Sequence, residues 1–177
     1  PIPILPALET YGSPEFSVME KHATRQQLLL RRKQFDEAGV IELSLQIQQR
    51  LLDFESFSRA ETLALYSPIN NEVLTDLLLN VALSQGKQIC LPRVSDESLQ
   101  FVMIDSVNEL HPGAFGVAEP VGDRLLTANE IDLLVVPGVA FARDGFRLGY
   151  GKGFYDRELS RVTDATVSVG LCYGFQL

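Results

Sequence analysis

The sequence predicts a single three-layer α/β/α domain on a mostly parallel, Rossmann-like sheet. Three observations predict it. The strand-like segments are short apolar runs without clean polar alternation, segments of helical periodicity separate them, and turn residues punctuate the junctions. A sheet with one wet face would alternate apolar and polar side chains, and "DLLVV" does not, so both faces are expected to be covered.

The elements follow in order. "MEKHATRQQLLLRRKQF" lacks glycine and proline and reads as a helix. "EAGVIELSLQIQQRLLDF" places Ile41, Leu45, Leu52 and neighbours at helical spacing, giving a second. "ETLALYSP" is a short apolar run ended by a turn, a buried strand. In "NEVLTDLLLNVALSQG", Val73, Leu74, Leu77, Leu78, Val81 and Ala82 form one stripe that Gly86 closes, so a helix is expected from about Asn71, with Glu72 in its first turn. "KQICLPRV" and "SLQFVMI" read as strands, and "HPGAFGVAEPVGD" as an irregular connection. "IDLLVVPGVAF" is the most strand-like segment. A helix over "FYDRELSRV" and a strand over "ATVSVGLCY" complete the pattern.

"GSPEF", Gly12 to Phe16, reads as a cloning scar, and Met19 as the natural start. Residues 1–18 are therefore expected to be a foreign leader and residues 19–177 the domain, long enough to bury roughly two-thirds of its unfolded surface. A net charge of −8 and a pI near 4.7 argue against non-specific nucleic-acid binding. No apolar run approaches the roughly 20 residues of a membrane span. Cys90 and Cys172 each sit in an apolar segment and read as reduced, buried small hydrophobes of a cytoplasmic protein. An anionic ligand is still allowed, provided positive charge is local.

That charge is concentrated in "GFRLGYGKGFYDR", Gly145 to Arg157. Gly149, Gly151 and Gly153 alternate with Tyr150 and Lys152 immediately before a helix. Backbone N–H groups of such a loop form an anion site, and Arg147 and Lys152 add formal charge. The loop matches neither a Walker A nor a dinucleotide fingerprint, and a Gly-rich surface turn is the plainer alternative. Asp156 bears on the choice. A carboxylate held at about 4 Å from a phosphate charge costs about 4 kcal/mol at an effective dielectric of 20. A divalent cation between them reverses the sign, and Mg²⁺ commonly takes one carboxylate together with phosphates. The alternative is that Asp156 complements a helix dipole.

The stretch "PGVAFARDGFRLGYGKGFYDR" resembles the signature of the 5-formyltetrahydrofolate cyclo-ligase (5,10-methenyltetrahydrofolate synthetase) family: an apolar strand, P-G-x-A-F-D, a short turn, then R-L-G-x-G-x-G-[YF]-Y-D. "KQICLPRV", "FGVAEP" and the K-x-x-x-R pair Lys21 and Arg25 extend the resemblance over residues 19–177. It implies closure of 5-formyltetrahydrofolate, polyglutamylated or not, to 5,10-methenyltetrahydrofolate, with ATP converted to ADP and phosphate through a phosphorylated formyl oxygen. It implies ATP contacts from Lys21, Arg25, Arg147, Leu148, Gly149, Tyr150, Gly151, Lys152, Gly153, Phe154 and Tyr155. Folate contacts are implied for Ser67, Glu72, Tyr150, Gly151, Lys152, Gly153 and Phe154. Arg147 and Lys152 would carry catalytic charge and Asp156 the Mg²⁺.

From residues alone, Lys21 and Arg25 also fit a solvated helical face, Glu72 a helix-dipole complement, and Phe115 either a core aromatic or a substrate contact. Ala142 stands where the family pattern has Asp, with Asp144 two residues on. The family pattern also continues past Leu177 through a second metal-associated aspartate, so an incomplete metal set is one expectation. His22 and His111 show no ligand spacing, and no Ser/His/Asp or Cys/His arrangement is visible. A monomer is expected. The rival readings are a kinase of another small molecule and a catalytically silent nucleotide-binding relative.

Overall fold

The computed structural model describes residues 18–95, 98–113 and 116–177. The expected leader lies outside them except for Val18, with which the first helix opens. Phe115 also lies outside.

The chain builds helices α1 (Val18–Arg32), α2 (Glu37–Leu52) and α3 (Glu55–Arg59), strand β1 (Thr62–Ala64) and helix α4 (Asp76–Ser84). The hairpin strands β2 (Gln88–Ser95) and β3 (Ser98–Ile104) follow, then β4 (Leu110–Pro112), β5 (Ala118–Pro120) and β6 (Leu125–Leu126). The last third holds β7 (Leu133–Val136), β8 (Ala140–Phe141), β9 (Arg147–Leu148), α5 (Phe154–Leu159) and β10 (Val167–Gly170).

The main sheet has six strands in the order β10-β7-β1-β2-β3-β6. The first four run parallel, and β3 and β6 join antiparallel at one edge. From β1 the chain moves to β2 on one side, then returns to place β7 on the other side of β1. The topological switch point, where ligands bind in open α/β sheets, is therefore between β1 and β7.

Alternate residues divide the core between two faces. Leu63, Leu65, Ile89, Leu91, Leu133, Val135 and Val169 pack with α2, α3 and α4. Ala64, Cys90, Leu134, Val136 and Cys172 pack with Phe141 and with Leu159 of α5. Both cysteines are free thiols, 0% and 6% exposed, and burial pushes them up to about 12 and about 11.

Two helices differ from expectation. The buried stripe of α2 is Val40, Ser44, Ile47, Gln48 and Leu51, while Ile41 and Leu45 are 44% and 46% exposed. The reason lies in α4. Its N-cap, Thr75, makes no side-chain cap because its hydroxyl donates to Tyr66 O at 2.8 Å. Gln48 Oε1 instead accepts from Leu78 N at 3.2 Å, and Ser44 Oγ from Leu74 N at 3.0 Å. The α2 face that supplies these acceptors must turn inward. Second, α4 starts at Asp76 rather than Asn71. Asn70 and Asn71 adopt positive φ of 49° and 57°, which no helix continues, so Glu72 belongs to a turn and not to a first helical turn.

On the α5 face, the Phe141 ring is wedged between the backbones of Gly138 and Gly170. A Cβ on Gly170 would meet that ring at 2.2 Å. Gly170→Ala is expected to lower stability by about 1–3 kcal/mol in thermal or urea melts, with Phe141→Leu recovering part of the loss.

Candidate active site

The turn after β1 and the loops after β7 rise from adjacent strands and enclose a cavity of about 390 Å³. One wall is Ser67, Ile69, Asn70 and Glu72. The opposite wall is Arg147 and the continuous run Gly149–Asp156, and Pro92, Val94, Leu99 and Val117 supply an apolar side.

The two walls are joined directly. Glu72 is 4% exposed; its Oε2 accepts from Ile69 N at 3.0 Å and its Oε1 from the Tyr150 hydroxyl at 2.9 Å. Arg32 of α1 reaches the same point. Its Nη2 donates to the Tyr150 hydroxyl, and its Nη1 lies 3.9 Å from Glu72 Oε1. Burial raises the Glu72 carboxyl, opposed by the Ile69 N–H, by Arg32 and by the Tyr150 hydroxyl. Burial and the neighbouring Glu72 push Tyr150 up to about 12.

The glycine loop is built by conformation as well as charge. Gly151 and Gly153 sit at φ of 103° and 69°, where a Cβ is strained, and Gly153 leads directly into α5. Arg25 Nε donates to Gly149 O at 2.7 Å, so α1 pins the start of the loop. Lys152 is exposed.

Arg147 is held more firmly than expected of a cation awaiting phosphate. Its side chain is 6% exposed. Nη1 donates to Pro137 O at 2.9 Å and Nη2 to Asp156 Oδ1, while its buried Nε has no partner among the described residues. It also lies over the Tyr155 ring, 5.6 Å from the centroid. Its charge thus neutralises Asp156, the reconciliation that the sequence had left to a metal.

Asp156 is 49% exposed. A single half-exposed carboxylate beside a cavity suits Mg²⁺, which keeps waters and takes further oxygens from phosphates. Among the described residues, no group of three or more His, Cys, Asp or Glu side chains is arranged to hold a metal.

Of the residues singled out in the sequence, Ser67, Glu72, Arg147 and Gly149 through Asp156 line the cavity. Ser67 Oγ donates to Ala118 O at 2.5 Å, tying that wall to β5. Leu148 does not line it; its carbonyl accepts from Val139 N at 2.7 Å. Lys21 and Arg25 lie on α1 outside the lining set, Arg25 touching the loop from behind. Asp144, weighed as a substitute for an acid at position 142, accepts from Phe146 N at 3.4 Å within the exposed β8–β9 turn.

Residues 17–177 match the sequence profile of the 5-formyltetrahydrofolate cyclo-ligase family. The chain belongs to that family. Among its relatives, 5-formyltetrahydrofolate cyclo-ligase of Mycoplasma pneumoniae is 31% identical over 163 residues, covering 89% of this chain and 88% of that protein. The mouse cyclo-ligase is 27% identical over 150 residues, 80% of this chain and 74% of its own. Among solved structures, Aquifex aeolicus 5,10-methenyltetrahydrofolate synthetase superposes with a TM-score of 0.79 at 36% identity, over 88% of this chain and 79% of that one.

Within this cyclo-ligase fold, the residue that sequence reasoning passed over is Arg32. Its signal was available: Lys21, Arg25 and Arg32 are spaced i, i+4, i+11, three helical turns, and so share one face of α1.

The raised Glu72 carboxyl fixes the sign of a pH effect. The folded state binds this proton more tightly than the unfolded state, so the contribution is complete below the ordinary glutamate value near 4.5 and is lost as pH rises through the folded-state value. In melts recorded upward from about pH 4.5, Glu72→Gln is expected to gain stability relative to the parent chain.

Proposed function

We propose that this cavity carries out ATP-dependent cyclisation of 5-formyltetrahydrofolate to 5,10-methenyltetrahydrofolate, releasing ADP and phosphate. The observation that carries the reading is the meeting of Glu72 and the glycine loop across one cavity at the β1–β7 switch point. A pterin presents a ring N–H beside an exocyclic amino group, and a carboxylate accepts both, as it accepts a guanidinium. Glu72 is that carboxylate, and the apolar side of Pro92, Val94 and Leu99 suits the flat ring.

The nucleotide is required because the formyl oxygen must leave from an amide-like carbon. Phosphorylation of that oxygen makes it a leaving group; N10 then attacks the activated carbon, and phosphate departs. Phosphoryl transfer depends mainly on positioning and charge neutralisation, with little covalent work for the protein. Lys152 supplies the exposed cation, the Gly149–Gly153 backbone approaches the phosphates without Cβ atoms in the way, and Arg147 sets a fixed positive charge behind them. Asp156 would hold Mg²⁺, which when bound neutralises phosphate oxygens.

Mixing the protein with MgATP and 5-formyltetrahydrofolate should produce the near-UV absorbance of the methenyl product, and omission of ATP should abolish it. Lys152→Ala is expected to lower kcat about 10- to 10²-fold, the size of losing one hydrogen bond to a charged group. Full turnover in Lys152→Ala would remove the role given to the loop. ATP hydrolysis without a methenyl signal would point to another phosphoryl acceptor.

A further inference from the structure

Arg32 is 1% exposed, and every partner of its side chain belongs to the cavity walls or their supports. Nε donates to Asn70 O at 2.7 Å, Nη1 to Gly138 O at 3.3 Å and Nη2 to the Tyr150 hydroxyl. Its main-chain carbonyl accepts from Asn71 Nδ2 at 3.3 Å, so the end of α1 is fastened to the same turn twice. Three separate segments thus meet on one guanidinium: the turn after β1, the turn after β7, and the glycine loop.

The direction of the hydrogen bonds matters. A phenol has a single proton. Because Arg32 donates to the Tyr150 oxygen, that proton is directed to Glu72 Oε1 at 2.9 Å, while Ile69 N occupies Oε2 at 3.0 Å. Each carboxylate oxygen thus has a fixed donor, one from its own turn and one from the glycine loop, and Glu72 lines the cavity.

We propose that Arg32 is a positioning residue for the folate end of the site: through Tyr150 it orients Glu72, and through Asn70 and Gly138 it sets the spacing of the two walls. This rests on Glu72 being the carboxylate that receives the pterin. A buried arginine is a poor way to gain stability alone, since apolar replacements of buried ion pairs are often as stable or more so. The choice of a rigid fork with donors on three nitrogens fits a geometric task that neither lysine nor an apolar side chain performs.

The test compares Arg32→Met, Arg32→Lys and Glu72→Gln by methenyl absorbance, varying each substrate separately. Arg32→Met is expected to raise the KM for 5-formyltetrahydrofolate about 10- to 100-fold, the size of losing hydrogen bonds to a charged group, with the KM for ATP changed less than about threefold. Arg32→Lys keeps charge and one donor, and should recover part of the folate loss. The pH profile provides a readout that a purely structural arginine would not move. Glu72 is faced by Arg32 from α1, Tyr66 from the end of β1, Arg147 from β9, Tyr150 from the glycine loop, Tyr155 from α5 and Tyr173 after β10. Of these, Arg32, the Tyr150 hydroxyl and Arg147 favour the ionised carboxylate, so removing Arg32 should move the acid limb of kcat/KM for folate to higher pH.

If Arg32→Met does not fold, the lysine variant decides on the same two readouts. An unchanged folate KM and an unchanged acid limb in the folded variants, with only Tm or active fraction reduced, would overturn the proposal. An unchanged folate KM in Glu72→Gln would instead remove the assignment of Glu72 on which it rests.

Discussion

Everything that the site contains depends on the pairing of β1 with β7. These parallel neighbours are central strands with Leu63, Ala64, Leu133 and Leu134 all buried, so their relative position is set by the densest part of the core. Their chains leave the sheet in opposite senses, one toward α4 and β2, the other toward α5 and β10. The gap that this leaves cannot be closed by either connection, and both loops must edge it. Glu72 and Tyr150 are 78 residues apart in sequence and 2.9 Å apart in space for that reason.

Two cation–acid assemblies line that gap, and they use burial differently. On the Glu72 wall, Arg32 and Glu72 are 1% and 4% exposed, with the Tyr150 hydroxyl between them. Charges withdrawn from water to this degree lose several kcal/mol of hydration each and persist only where hydrogen bonds replace it. Arg32 donates to the carbonyls of Asn70 and Gly138 and to Tyr150, and Glu72 accepts from Ile69 N and Tyr150. On the glycine-loop wall, the Arg147 side chain is withdrawn from solvent but that of Asp156 is half exposed. That acid remains in contact with solvent and keeps an oxygen for another ligand. The same pair of residue types is sealed from water at one wall and open to it at the other.

The sequence made the sheet, the family signature and most of the cavity wall legible because these depend on local pattern. Short apolar runs bounded by turn residues, such as Leu133–Val136, read as buried strands, and Gly151 and Gly153 fit positive φ at the loop. What was not legible depends on partners distant in the chain. The inward face of α2 is chosen by the capping needs of α4, so Ile41 and Leu45 face outward despite their spacing. The start of α4 is delayed by Asn70 and Asn71, whose left-handed backbone is held where Arg32 and Phe35 meet that turn. With Glu72 off the helix, its reading as a dipole complement of α4 has no structural basis. Arg147 looked like a free phosphate clamp because the carbonyl of Pro137 that binds it comes from a separate turn.

Although the chain is acidic, it anchors cations beside this cavity. Arg25, Arg32 and Arg147 all give hydrogen bonds to main-chain carbonyls beside the cavity, at Gly149, Asn70, Gly138 and Pro137. Each side chain is thereby anchored by the protein itself, and an anchored charge needs less reorganisation than water to face an anion. A mobile surface cation would add net charge but little preorganised field. The formal charge of −8 is a sum over the whole chain, and beside the glycine loop it coexists with the anchored Arg25 and Arg147 and the exposed Lys152. Helix α1 joins these contacts: one face of it carries Arg25 to Gly149 and Arg32 to Asn70 and Tyr150, so both walls of the cavity share a single strut.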